Sequence, residues 1–358
     1  MSLALLGFSF FSEISYQRLL RLQNKYKDLL IAWQELSAGD LRMLGVLPKS
    51  IEEIILTKKK INLNEYHEKL LQENIQCIDI FSLEYPALLK EIYDPPIVLY
   101  KKGELSLQGC EGLAVVGTRH PTSYGVTVTK QLIPELQGFT IVSGLAAGID
   151  TVAHRAALDH GLPTIAVMGT GLDTVYPYEN KKLFEQIVTE GAVLSEYPLG
   201  SKPMKWHFPR RNRIITGLSR TVVVVEGSVT SGAILSGKIA LDQDRNVYAV
   251  PGNISSEKST GTNWLIGQGA APVCSIEQFS REIRLGQQLQ FPIQAPVIEL
   301  TDLEEKIMAC LPLNQAVDTD MVIEQSGCSF TDVVQGLLSL ELKRAVTQLP
   351  GKRIVRVG

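Results

Sequence analysis

Leu113-Ala114-Val115-Val116-Gly117-Thr118-Arg119 is a short apolar run, rich in β-branched valine, that passes straight into glycine. The pattern returns at Thr140-Ile141-Val142-Ser143-Gly144, at Thr164-Ile165-Ala166-Val167-Met168-Gly169-Thr170-Gly171 and at Thr221-Val222-Val223-Val224-Val225-Glu226-Gly227. Brief runs that are apolar at consecutive positions read as strands buried on both faces, and the stretches between them carry helical spacing. Alternation of this kind predicts a doubly wound parallel sheet over residues 67–285, with further strands at Ala192–Leu194 and Asn246–Val250. Ligands of such a sheet sit beyond the carboxyl ends of the strands, where glycine lets the backbone approach a phosphate and the next helix presents free N–H groups. A single glycine loop is explained equally well by a tight turn. Recurrence after successive strands points to an anion-binding edge.

Outward from this core, residues 1–66 read as a small helical unit, with apolar residues at three-to-four spacing in Tyr16–Leu22 and Ser50–Leu56. Residues 286–298, rich in Gln and Pro, read as a linker. Residues 299–358 follow with three helical runs, Leu303–Leu311, Thr319–Ser326 and Thr331–Leu342, and a turn-linked strand pair from Ala345 to Val355, which is the winged-helix pattern. The wing is expected to be basic, from Lys343, Arg344, Lys352, Arg353 and Arg356; DNA contact and protein docking are both open to it. The fold class is therefore α/β: an extended Rossmann-like parallel sheet between a small N-terminal helical (SAM-like) domain and a C-terminal winged helix.

Bulk properties narrow the function. The apolar start MSLALLGFSFF has no basic segment before it and ends at Ser12-Glu13, too short to span a bilayer, so a cytoplasmic location away from membranes is expected. Cys77, Cys110, Cys274, Cys310 and Cys328 are scattered without a C-x-x-C pair, which indicates reduced thiols and neither disulfides nor a zinc site. A net charge of −3 excludes a chain that coats polyanions with its whole surface. Distribution matters more: no acidic residue lies between Glu196 and Glu226, while Lys202, Lys205, Arg210, Arg211, Arg213 and Arg220 do, with Trp206 and His207 among them. Cations interleaved with aromatics suit a nucleic-acid groove, and Ile214, Ile215 and Leu218 half-bury the segment. The glycines fit neither the dinucleotide fingerprint nor a Walker loop. Asp150 and His154 stand four apart on a helix but lack a third residue at metal-ligand spacing; they read as a helix-start carboxylate and a packed histidine. No catalytic residue, metal or cofactor is assigned.

Several blocks carry a resemblance. Val115–Gly125 (VVGTRHPTSYG), Ser143–Asp150 (SGLAAGID) with Ala153-His154, Gly169–Asp173 with Tyr176-Pro177 and Asn180, Phe208–Ile215 (FPRRNRII), Val250-Pro251-Gly252 and Gly261–Ile266 (GTNWLI) run in the order of the DprA/Smf family of DNA-processing proteins, which the chain resembles. Asp79–Gly103 extends the match upstream. Two features depart from it: Gly7-Phe8-Ser9-Phe10 replaces the Pro-Gly-Ile-Gly turn of a helix-hairpin-helix, and Ser231–Gly237 reads SGAILSG. The resemblance implies a non-enzymatic protein that binds single-stranded DNA, forms a homodimer through the Rossmann domain and loads RecA recombinase during natural transformation. It places the strand on Gly117, Thr118, Arg119, Ser143, Gly144, Gly148, Gly169, Gly171, Asn180, Lys181, Lys182, Phe208, Arg210, Arg211, Asn212 and Arg213. Arg119, Lys181, Lys182, Arg211 and Arg213 are expected to hold phosphates, helped by the Thr118 and Ser143 hydroxyls and the amides of Gly117, Gly144 and Gly171. Trp206 or Phe208 is expected to stack on bases. Two rivals share the fold. A nucleotide phosphoribohydrolase needs a Pro-Gly-Gly-x-Gly-Thr loop, against which the chain offers only Val250-Pro251-Gly252-Asn253. A sensor of a small nucleotide does not need so long an acid-free basic segment.

Overall fold

The computed structural model describes residues 2–288, 301–311, 316–343, 346–349 and 353–356. They fall into two compact units, Met1–Arg281 and Glu282–Gly358.

The first unit is organised by its sheet. Nine strands, β1 (Gln76–Asp79), β2 (Val98–Lys102), β3 (Gly112–Val116), β4 (Thr140–Ser143), β5 (Thr164–Met168), β6 (Ala192–Ser195), β7 (Thr221–Val224), β8 (Asn246–Ala249) and β9 (Ala271–Pro272), lie in the order β1-β2-β6-β5-β4-β3-β7-β8-β9. From β6 to β9 neighbours are parallel, with Val116 opposite Val224 and Val142 opposite Ile165; β2 joins β6 antiparallel and β1 joins β2 antiparallel. Strands β3 to β7 are buried along their whole length, because helices cover both faces, and this is why they read as unbroken apolar runs. The chain winds from β3 outward through β4, β5 and β6, then returns to place β7, β8 and β9 on the other side. The winding direction reverses between β3 and β7, which opens a crevice beyond their carboxyl ends.

Six helices precede the sheet: α1 (Leu3–Phe8), α2 (Tyr16–Tyr26), α3 (Leu29–Glu35), α4 (Ala38–Met43), α5 (Pro48–Lys60) and α6 (Leu63–Gln72). Their starts are set locally. Ser15 and Asn62 each accept a backbone N–H three residues on, Asp28 accepts those of Leu30 and Ile31, Ser37 and Asp40 form a reciprocal capping box, and Pro48 sits in the first turn of α5. Leu6, Phe8, Leu19, Leu22, Leu41 and Leu70 are fully buried in a cluster that continues without a break into Tyr100, Leu183 and Ile187 of the sheet layer. Polar contacts cross the same boundary: Ser9 Oγ lies 2.7 Å from the Tyr100 hydroxyl, and the Leu199 amide donates to the Tyr66 hydroxyl at 2.8 Å. The helical unit and the sheet thus share one core.

After β1 come α7 (Ala87–Lys90), α8 (Ser123–Leu132), α9 (Ile149–Asp159), α10 (Lys181–Glu190), α11 (His207–Gly217), α12 (Gly232–Asp242), α13 (Thr260–Gly267) and α14 (Ile276–Gln288). Helix α14 takes in the first residues of the expected linker; the rest of it, from 289, lies outside the described residues. The second unit packs α15 (Asp302–Ala309), α16 (Thr319–Ser326) and α17 (Phe330–Leu342) on a sheet of β10 (Ala316–Asp318), β11 (Val346–Leu349) and β12 (Arg353–Arg356) in the order β10-β12-β11. This is a winged helix, with one more strand, β10, than expected from sequence. Its core is Ile307, Leu311, Val322, Val333, Leu337, Leu340, Val346 and Ile354. Of the five expected wing cations, Lys343 is paired with Glu304 at 2.7 Å, and Arg344 and Lys352 lie outside the described residues. No helix among the described residues is long and apolar enough to cross a membrane.

Gly103, which follows β2, has φ of +111°, and a Cβ there would meet the Gly191 carbonyl oxygen at 2.5 Å. Both the backbone strain and the clash with main chain oppose a side chain. Gly103→Ala is expected to lower unfolding free energy by about 2 kcal/mol, measured by urea denaturation, with the spectrum of the folded state unchanged.

Candidate nucleic-acid interface

The glycine turns after β3, β4 and β5 converge at the crevice. Two cavities of about 590 and 450 Å³ open there. They share Arg119, Ala146, Tyr176, Phe208 and Arg211, so together they form one groove along the strand ends. Gly117, Thr118, Asn212, Ser231 and Lys205 line one half; Gly144, Gly148, Gly169, Asn180 and His120 line the other.

Much of the polarity expected to meet phosphate is already committed inside the protein. The buried Glu226 carboxylate, at the end of β7, accepts from Thr122 N at 2.8 Å and Thr122 Oγ1 at 2.5 Å, and so supplies the negative charge that the N-terminus of α8 attracts. Asp150 does the same for the loop after β4, accepting from Gly144 N at 3.1 Å and Ala146 N at 3.4 Å. The Gly171 amide donates to Ser201 O at 3.0 Å. Ser143 is fully buried and its hydroxyl donates to Val115 O at 2.7 Å, while Asn180 Nδ2 donates to Leu145 O and Thr151 Oγ1. The expectation that Ser143 and the amides of Gly144 and Gly171 donate to phosphate is therefore revised: each has a protein acceptor, because a buried donor must be paired. Gly148 forms the N-cap of α9, and Gly169 packs beneath Phe208.

Arg211 is the most heavily committed. It is 4% exposed, and its Nη1 donates to Gly144 O at 2.6 Å and to Val167 O. A Cβ on residue 144 would meet its guanidinium at 2.5 Å, so the close approach needs glycine there. Burial pulls the guanidinium down to about 10, against the upward pull of Asp150. Burial likewise raises the Asp150 carboxyl, with Arg211 and the donated amides opposing it. Arg211 thus works as a brace across the ends of β4 and β5.

The helical period of α11 sorts the remaining basic residues. Phe208, Arg211, Asn212 and Ile215 face the groove, whereas Arg210 and Arg213, three apart, lie on another face and line a different cavity. There Arg213 Nη2 pairs with Glu196, and Arg210 and Arg213 both reach Asp94, at 3.5 and 3.7 Å. The structure does not bring these two arginines to the groove, because carboxylates distant in sequence hold them elsewhere. What the groove does expose is Arg119, with its guanidinium carbon 5.4 Å from the centre of the Phe208 ring, and Tyr176, whose ring centre is also 5.4 Å from that of Phe208. Lys205 is exposed on its wall. Lys181 and Lys182 are exposed at the start of α10, beside Asn180. Sequence named Lys205 only as one cation of the acid-free segment and Tyr176 only as part of a family block, and neither was among the residues expected to hold the strand; Lys205 lies in the turn just before α11 and lines the same cavity as Phe208.

His154 is fully buried, and its Nδ1 lies 2.7 Å from Thr164 Oγ1. That hydroxyl donates to Ile141 O at 2.9 Å, so it accepts from the imidazole, which carries its proton on Nδ1. Burial, reinforced by Arg211, holds the imidazole down at about 3. No group of three or more His, Cys, Asp or Glu side chains able to hold a metal occurs among the described residues.

A doubly wound α/β domain with an arginine and aromatics over its switch point, followed by a winged helix, defines a Rossmann-type protein whose ligand crevice lies at the strand ends. Residues 76–284 match the family model of DNA recombination-mediator protein A, and residues 292–352 match that of the DprA winged helix domain. The chain belongs to the DprA/Smf family. It is 36% identical to protein Smf of Synechocystis over 94% of each chain, and 47% identical to DNA processing protein DprA of Streptococcus pneumoniae over 68% of this chain and 85% of that one. Among solved structures, that of DprA from Streptococcus pneumoniae superposes with a TM-score of 0.68 at 36% identity, covering 79% of this chain and 98% of that one. The structure of DNA processing protein A from Helicobacter pylori, described for its single-stranded DNA binding mode, gives a TM-score of 0.55 at 31% identity, over 59% of this chain and 96% of that one.

Two outcomes follow. Arg211→Met leaves Asp150 buried without its neighbouring cation and is expected to cost about 3 kcal/mol of stability, whereas Arg119→Ala stays within about 0.5 kcal/mol of the parent; urea denaturation of both variants separates brace from surface cation. An unfolded histidine titrates near 6.5, so between that pH and about 3 the unfolded chain binds a proton that folded His154 refuses. Its contribution is complete above pH 6.5 and falls on acidification. His154→Leu removes the titration and is expected to give a flatter dependence of Tm on pH below about 6.5.

Proposed function

We propose that the groove binds single-stranded DNA without reading its sequence, and that the protein protects incoming strands and loads RecA recombinase onto them during natural transformation and homologous recombination. The observation that carries this reading is the exposed Arg119 guanidinium held over Phe208 at the switch point, with Tyr176 and Lys205 beside it. Arg119 and Lys205 neutralise phosphates, and Lys181 and Lys182 continue the track at the start of α10. Phe208 and Tyr176 offer flat faces to unpaired bases; stacking serves any base, so the contact tolerates all sequences. The side-chain amide of Asn180 and the guanidinium of Arg211, which have the geometry to read base edges, are spent on backbone carbonyls. The perturbed ionisable groups next to the groove, Asp150 and Arg211, likewise make internal contacts, and we assign the site to binding rather than bond breaking. The strand-binding mode described for the Helicobacter pylori relative supports this reading. We extend it to a cytoplasmic homodimer formed through the Rossmann domain.

Fluorescence anisotropy with labelled oligo-dT of graded length tests it. Affinity is expected to rise with length, and Arg119→Ala to weaken binding and make the slope of log affinity against log salt shallower by about 0.7. Saturation by a mononucleotide, with no gain for longer strands, would overturn the proposal in favour of a small-nucleotide sensor.

A further inference from the structure

Helix α17 buries one apolar face and exposes another. Val333, Gly336, Leu337 and Leu340, three and four residues apart, are buried, and a Cβ on Gly336 would meet Ile307 Cδ1 at 2.4 Å, so α15 closes that side. Phe330, Val334 and Leu338, each four residues from the next, form a second stripe on the outer surface and are 63%, 44% and 56% exposed. Apolar side chains scattered singly on a surface need no explanation, whereas a continuous row of them marks a contact with another molecule.

The winged helix left two occupants open from sequence, and the charge of this face decides against DNA. In a helix-turn-helix that reads a duplex, the second helix enters the major groove and cations around it neutralise phosphates. From Thr319 to Leu342, which spans α16, the turn and α17, the chain carries no lysine, arginine or histidine, but does carry Asp320, Glu324, Asp332 and Glu341. A duplex would set its phosphates beside those carboxylates, and like charges repel.

We infer that α17 docks on α17 of a second copy of this chain, antiparallel, about a twofold axis at Val334. The stripe is self-complementary in that arrangement: Val334 meets the partner's Val334, and Phe330 meets the partner's Leu338. A twofold contact brings each residue near its own counterpart, so a charge close to the axis would face itself. None of the described side chains puts one there. Thr331 and Gln335, exposed beside the stripe, are uncharged. Asp332 is turned about 160° around the helix from Val334, and its carboxylate accepts from the Ser329 hydroxyl at 2.6 Å in the helix cap. Glu341 lies about two turns from the axis. Three side chains offer less than the roughly 800 Å² per partner of a stable dimer, so the contact is weak between free chains and gains strength where two chains are already joined. It is separate from the homodimer proposed through the Rossmann domain.

Sedimentation velocity of the full chain, from micromolar to near-millimolar concentration, tests it. The parent is expected to show a concentration-dependent association step that Phe330→Asp weakens about tenfold, because a twofold contact meets the substitution twice; Leu338→Asp is expected to act in the same direction. Circular dichroism of both variants checks that they fold. A third variant, Val334→Cys, reads the geometry directly: mild oxidation is expected to give a covalent dimer in excess of the parent's background from its own thiols, whereas Asp332→Cys gives no excess. The inference falls if Phe330→Asp sediments as the parent does at every concentration and Val334→Cys gives no more dimer than the parent. It is also overturned if Phe330→Asp leaves sedimentation unchanged but weakens binding of a labelled duplex, since α17 is then a nucleic-acid contact. Neither result bears on the groove, which Arg119→Ala tests.

Discussion

One buried cation holds this surface together. Arg211 reaches back from α11 to the carbonyls of Gly144 and Val167, at the carboxyl ends of β4 and β5, next to the buried Asp150 that gathers the amides of the β4 loop. A buried guanidinium is tolerated only where acceptors and a counter-charge surround it, and the strand ends supply both. The position of α11 across the sheet edge depends on this brace, and so do the two cavities on either side of that helix.

The same economy shapes the electrostatics of the groove. Helix N-termini at the end of a parallel sheet attract anions, yet α8 is supplied by Glu226 and the β4 loop by Asp150. Internal carboxylates take the places that a nucleotide phosphate would occupy in a cofactor-binding Rossmann domain. The cations left exposed at the groove and at the start of α10 are Arg119, Lys205, Lys181 and Lys182. That distribution of charge is the one the proposed strand-binding reading requires: exposed cations spread along the groove for a chain of phosphates, in place of a preformed pyrophosphate cradle.

The N-terminal helices join this surface through a shared core. The burial of Leu6, Phe8 and Leu22 continues into Tyr100 and Ile187, and Arg210 donates to Ser12 O at 3.1 Å, so the helices are packed against the β6 end of the sheet. That placement, together with the carboxylates Asp94 and Glu196, is what draws Arg210 and Arg213 away from the groove.

The strands were legible because each is buried on both faces, so that short runs such as Leu113–Val116 and Thr221–Val225 carry their own signal, and the glycines that follow mark where the backbone turns at the crevice. The winged helix and the family blocks were legible in the same local way. Sequence spacing alone did not show which polar groups were free. Ser143, Gly144, Gly171 and Asn180 look like donors until the acceptors at Val115, Asp150, Ser201 and Leu145 are placed beside them. The acid-free segment reads as one basic strip, whereas the helix divides it by its period into a groove face and a face turned to carboxylates. Sequence by itself determined the central strands and the glycine edge, which follow from local patterns of burial, and the family, which follows from its motif blocks. Only the tertiary structure decided which arginines stay exposed at the groove and which hold the fold, because a cation's role depends on the carboxylates and carbonyls that packing brings to it from distant parts of the chain.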